Sequence, residues 1–255
     1  MYCPGCGKEV PEGFSGATCL SCGATLHVEG TATGPRPAGI PWEKRGEMGF
    51  LPALIATLRG FLGDPSRSFS DLPKRENLGS AFQYLLLLTW VGALGALLWG
   101  LLLQDSQLAL LKSLRLPIPL ESWSPGRSVL IAVVYTIVIP ILVLVWTFIW
   151  TGIVHLVLWI LGGAKEGFEA TLRVYAYSRG STALFELVPF CGGLVSAVWS
   201  LVLQIIGLSR VHEISGGKAA LAVLLPLAFC CILLVAIIVA FAGAIMAFVG
   251  QAANI

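Results

Sequence analysis

Charge is scarce in this chain: Asp, Glu, Lys and Arg together account for 12% of its 255 residues, against 56% hydrophobic. Soluble domains carry roughly a quarter charged residues, and no aqueous core of this size hides so much apolar surface, so an ordinary soluble globule is excluded. A concentration of one sign is missing too. The net charge is +2, with basic residues scattered near the ends of apolar runs, which gives no basic face for nucleic acid. The opening residues MYCPGCGKEV lack a basic start followed by an apolar stretch, so no cleavable secretory signal is expected and the amino terminus is predicted to stay in the cytosol. Catalytic signatures are also wanting. There is no H-E-x-x-H, G-x-S-x-G, P-loop or dinucleotide fingerprint, and the three histidines, His27, His155 and His212, lie in unlike sequence settings. The chain reads as not an enzyme.

What is present begins with cysteine. Cys3 and Cys6 form one C-x-x-C pair and Cys19 and Cys22 another, each followed directly by glycine, Gly7 and Gly23. Four thiolates at this spacing converge on one tetrahedral Zn2+, and the glycines permit the tight turns around sulfur. Residues 1–27 therefore read as a zinc ribbon. So short a segment cannot build its own core, and the metal supplies most of its folding free energy, on the order of 10 kcal/mol. An all-thiolate shell leaves no open coordination position, which favours a structural site over a catalytic one. Lys8 is offset by Glu9 and Glu12, so protein contact suits the ribbon better than nucleic acid. The other three cysteines, Cys191, Cys230 and Cys231, lie in apolar sequence and read as small hydrophobes.

Beyond the ribbon, 28–48 reads as a flexible linker rich in Gly, Pro and Thr, and 49–79 as a juxtamembrane amphipathic region. Its helix at 49–63 carries Phe50, Leu51, Leu54, Ile55, Leu58, Phe61 and Leu62 on a wide apolar stripe too short to span, and Asp64 is placed to cap the segment after it. Residues 80–255 form the membrane domain, with spans at about 81–103, 128–161, 183–208 and 219–249. The second is overlong and must tilt, kink at Pro140 or project. In the first, Gly92, Gly95 and Gly100 offer flat surfaces for close helix packing. The fold class is thus an all-α polytopic membrane protein, a bundle of four transmembrane segments, with five as the alternative should Pro189 mark a true break. Four crossings put Arg210 and Lys218 outside, whereas five put them inside, where Lys and Arg gather.

Leu161 to Gly193 is a polar connector between apolar runs. Phe168, Leu172 and Tyr175 recur at helical spacing beside Val174 and Tyr177, so the segment is expected to lie along the membrane surface with its charges in water. His155 and Glu186 are the ionisable groups near or within the spans, and an intramembrane charge is by default a functional hypothesis. Pairing of Glu186 with Arg173, Arg179 or His155 is the structural reading. A transport path through the broken helix near Pro189 is the functional one.

The order of motifs P-W-E (41–43), G-F-L…T (49–57), D-P-S-R-S-F (64–69), L-G-G…F (161–168), V-Y-A-Y-S (174–178), P-F…G (189–193) and G-L-S-R-V-H (207–212) resembles the prokaryotic branch of the Yip family, the Ypt/Rab-interacting proteins. Gly162, Gly163, Phe168, Tyr175, Tyr177 and Pro189 stand at the motif positions. The resemblance implies a multi-pass protein of the cell (inner) membrane, with a cytoplasmic amino terminus and a role in membrane trafficking or organisation. Its expected partners are the lipid bilayer and a cytosolic or membrane protein recruited by the ribbon, with homo-oligomerisation left open and no nucleic acid. The alternative function is a small transporter, channel or lipid-moving protein using His155 and Glu186.

Overall fold

The computed structural model describes residues 39–73, 78–113 and 125–252, together with Cys6 and Cys22. The chain divides into an amino-terminal unit, Met1–Ala38, and a helical unit, Gly39–Ile255. Apart from Cys6 and Cys22, the expected ribbon and most of the expected linker lie outside the described residues, as do Lys74, Arg75, Arg115, Pro117 and Pro119.

The linker expected over 28–48 ends early. A 3-10 turn at Pro41–Lys44 leads into α1 (Arg45–Met48), and Trp42 is buried in the core of the helical unit. Gly49, at φ +87, then redirects the chain into α2 (Phe50–Gly63). Asp64 caps α3 (Pro65–Ser70) as expected, its carboxylate accepting the Arg67 N–H at 3.2 Å. The remaining helices are α4 (Leu78–Leu102), α5 (Gln104–Ser113), α6 (Pro125–Ile160), α7 (Phe168–Ala183), α8 (Gly192–Val211) and α9 (Gly216–Ala252), with a 3-10 turn, Leu184–Leu187, continuing α7. No strand occurs among the described residues.

Four helices are long and apolar enough to cross a bilayer: Leu78–Leu102, Ala132–Ile160, Gly192–Val211 and Gly216–Gly243. They present Leu98, Ile141, Trp159, Leu194 and Ile237 outward, a composition that lipid solvates and water does not. α6 runs through Pro140 and α9 through Pro226 without ending.

The connector departs most from the sequence reading. α7 is not a surface helix with its charges in water: residues 170–178 and 180–183 are all buried, Arg173 completely. The physical reason is that its apolar side chains do not form one stripe, and small residues fill the positions between them. Ala170, Ala176, Gly180, Ser181 and Ala183 let neighbouring helices close on every side. A methyl group at Gly180 would overlap the Tyr84 ring. On α4, one at Gly92 would overlap the Ala183 carbonyl, and one at Gly95 the Leu187 side chain; Gly100 meets nothing. Two of the three α4 glycines thus serve the close packing expected of them.

The break at Pro189 is real. The stretch expected to span from 183 to 208 splits into the 3-10 turn that continues α7 and the span α8, with Phe190 at φ +65 between them. Gly192 lies so close to the Phe185 carbonyl that a β-carbon would not fit. α7 and α8 are antiparallel, Val174 lying against Gly207 and Arg179 reaching Ser196. Between Ile160 and Val211 the chain therefore leaves one end of the bundle and returns to it, where Lys165 Nζ donates to the Glu213 carbonyl at 2.8 Å. Arg210 and Lys218 share that end, the distribution that the five-crossing alternative requires.

α2 docks on the same end. Ala53, Thr57 and Phe61 are buried, Phe61 stacking on Tyr177 at 5.0 Å, while Phe50, Leu51 and Ile55 stay exposed. The helix is thus packed on the bundle by one face and presents a second apolar face outward.

Candidate functional site

Three polar sets surround α7. The first joins it to the segment before α2. Arg173 Nη2 donates to Glu43 Oε1, and the Tyr177 hydroxyl donates to the same oxygen at 2.7 Å. The 3-10 turn at Pro41–Lys44 can present Glu43 there because its flanks are anchored. The Trp42 N–H donates to Thr57 Oγ1 at 2.8 Å, its indole N–H donates to the Ser80 carbonyl at 2.9 Å, and Arg45 donates to the Trp42 carbonyl, Ser80 Oγ and Gln83. The Arg45 guanidinium also stacks over the Trp42 ring at 4.8 Å. Tyr84 and Ser181 share a hydrogen bond of 2.9 Å behind this set. Among the described residues, two Arg173 nitrogens, Nε and Nη1, have no hydrogen-bond partner. Arg173 therefore depends on the Glu43 carboxylate for compensation of a fully buried charge.

The second set lies toward the far end of α7. Arg179 pairs with Glu186 at 2.6 Å and donates to Ser196 Oγ at 3.1 Å, and Ser196 donates to Glu186 Oε1 at 3.2 Å. Gly92 of α4 closes over Glu186. The third set is at the near end: Thr171 Oγ1 lies 2.8 Å from His155 Nδ1 and 2.9 Å from His212 Nε2, and the Glu166 N–H donates to His212 Nδ1 at 3.2 Å. His155 meets Phe168 edge-on at 5.7 Å. Between these two sets, Trp150, Thr151, Val154, Thr171, Tyr175 and Gln204 line a cavity of about 10 Å³, with Thr151 Oγ1 unpartnered. That is at the lower edge of the room one water needs.

The four membrane residues singled out from sequence, His155, Arg173, Arg179 and Glu186, are thus all in the bundle but in three separate sets. Glu186 pairs with Arg179, one of the three partners allowed for it, and not with Arg173 or His155. The two carboxy-terminal histidines do not occupy unlike settings, because their rings lie 6.1 Å apart. Of the motif positions, Gly162 sits at φ +62 and Gly163 packs against the Leu158 carbonyl, together forming the turn after α6. Tyr175 and Tyr177 are buried, and Pro189 is in the hairpin turn. Glu43, Trp42, Tyr84, Thr171 and His212 were not foreseen. For Trp42, Glu43 and His212 the signal was that P-W-E and G-L-S-R-V-H keep a polar residue beside apolar sequence, whereas Tyr84 and Thr171 stood in no motif.

Of the predicted zinc ligands, Cys3 and Cys19 lie outside the described residues. Cys6 and Cys22, the second cysteine of each pair, lie in exposed turns. Among the described residues of the bundle, no three His, Cys, Asp or Glu side chains gather to hold a metal.

A family model described as the Yip1 domain matches residues 59–250, a range that takes in α3 through α8, α9 as far as Gly250, and all three polar sets around α7 apart from Glu43 and its neighbours. No curated protein and no solved structure matches the chain. The matched range covers the four apolar helices and the buried polar helix they enclose, and the chain belongs to the Yip1 domain family.

Proposed function

We propose that this chain is a noncatalytic organiser of the cell (inner) membrane, of trafficking type, with its amino terminus in the cytoplasm. In this reading Cys3, Cys6, Cys19 and Cys22 hold one Zn2+ as a structural knuckle, and the ribbon recruits a protein partner to the membrane surface. α2 rests its exposed Phe50, Leu51 and Ile55 among lipid headgroups and acyl ends.

The observation that carries the reading is that the charges inside the bundle are engaged with one another. Arg173 is held by Glu43, and Arg179 and Glu186 by each other and Ser196, so neither acid is presented to an open path. The cavity beside α7 has room for about one water, which suits a packed scaffold better than a solute pathway. The test has two arms. Purified chain should contain one zinc, and pull-downs with and without residues 1–27 should differ in partners; identical partner sets would remove the recruiting role. Liposome flux that is present in the wild type and lost in a folded Glu186→Ala variant would favour transport instead.

A further inference from the structure

One threonine of α6 stands apart from the others in the helices. Thr57, Thr89, Thr136, Thr147 and Thr182 each donate to the carbonyl four residues earlier, the local bond that a helix offers a threonine. Thr171 is engaged by His155 and His212 instead. Thr151 makes neither kind of bond: it is 1% exposed, and its Oγ1 has no partner among the described residues. A hydroxyl that forgoes the carbonyl behind it is turned elsewhere, and Thr151 lines the cavity of about 10 Å³ that α6, α7 and α8 enclose.

The α8 side of that cavity has its polarity fixed by partners that work in one direction only. The Trp150 indole N–H only donates, so the Gln204 atom 2.8 Å from it is the amide oxygen. The Ser200 carbonyl only accepts, so the Gln204 atom 3.2 Å from it is the amide nitrogen. An amide oxygen accepts two hydrogen bonds, and the indole takes one of them. Gln204 lines the same cavity as Thr151, while Val154, Val174 and Leu208 close it on its apolar sides.

We propose that one water molecule is a built-in part of this bundle, held in the cavity between Thr151 Oγ1 and Gln204 Oε1. The Thr151 hydroxyl donates to the water oxygen, and the water donates to the second lone pair of Gln204 Oε1. A cavity of about 10 Å³ takes one water and nothing larger. Its lining residues are all uncharged, so a cation would meet no compensating charge there. The water gives α6 and α8 a second polar tie beside the Trp150–Gln204 bond, within the apolar span Ala132–Ile160. Thr151 thereby gains a partner that its own helix does not supply. One molecule fills the room available, so the site is a joint between helices and not a route through them.

The test is a crystal structure of the full chain in lipid, at a resolution that shows ordered water, for the wild type and for Thr151→Val. One peak within about 2.5–3.0 Å of both Thr151 Oγ1 and Gln204 Oε1 is expected in the wild type and none in the variant. A cavity without a peak, or a peak that persists unchanged in Thr151→Val, would overturn the assignment. Thermal unfolding of the same two chains in nanodiscs reads it independently. Valine has the shape of threonine, so Thr151→Val should lower the midpoint by about 2–4 °C if a bound water is lost with the hydroxyl. A raised midpoint would mean that the substitution merely removed an unsatisfied hydroxyl from a dry cavity, and would sink the proposal. Should the variant not fold, the presence or absence of the wild-type peak decides.

Discussion

Arg173 is the residue on which the interior most depends. Its guanidinium is fully buried and meets one carboxylate, that of Glu43, from a segment 130 residues away in sequence. Removing one partner of a buried pair strands the other, at about 3–5 kcal/mol, whereas replacing both with apolar groups is often nearly neutral. Glu43→Ala is therefore expected to lower the thermal unfolding midpoint strongly in detergent. The double variant Glu43→Ala/Arg173→Met should recover much of that loss. Strictly additive effects of the single changes would contradict the pairing. Sequence pointed to Arg173 as a charge beside the membrane but could not supply its partner. Hydrophobic patterning says which residues are apolar, not which distant acid meets a given base.

At the scale of elements, α7 shows how a helix with no apolar stripe is buried. Its burial rests on small residues at the contact with α4, where Gly92 meets the Ala183 carbonyl and Gly180 meets Tyr84. Gly92→Val should sharply reduce folded yield, because the Ala183 carbonyl and the Glu186 carboxylate leave nowhere for the side chain to go. Gly100→Val, in open space on the same helix, should stay within about 0.5 kcal/mol of the wild type by thermal melting. Equal effects at the two positions would mean that α4 does not pack on α7 by this face. The sequence marked both glycines as candidates without separating them, since the choice depends on which helix lies opposite. α2 makes its own prediction: a tryptophan at Phe50 should be quenched by lipids brominated near the headgroup, and an unquenched, water-like emission would place that face away from the bilayer.

For the whole molecule, the path of the chain is the testable feature. The α7–α8 hairpin returns the chain to the end it left, so positions 165 and 218 lie at one end of the bundle, as the tie from Lys165 to Glu213 requires. In single-cysteine variants with the seven native cysteines changed to Ala, Lys165→Cys and Lys218→Cys should be labelled by an impermeant maleimide from the same side of proteoliposomes. Labelling from opposite sides would restore a single simple crossing between them.

The sequence by itself determined that lipid is the solvent, that four apolar helices are long enough to span, that Pro189 breaks the third stretch and that Asp64 caps α3. These follow from local composition and spacing, because hydrophobicity, proline and capping act within a few residues of where they are written. The tertiary structure alone decided that the polar connector goes inside the bundle, that the P-W-E segment belongs to the core rather than to a linker, and that His155 and His212 share one hydroxyl. A polar helix is stable inside only when its partners arrive from elsewhere in the chain, and no local pattern records which partners those are.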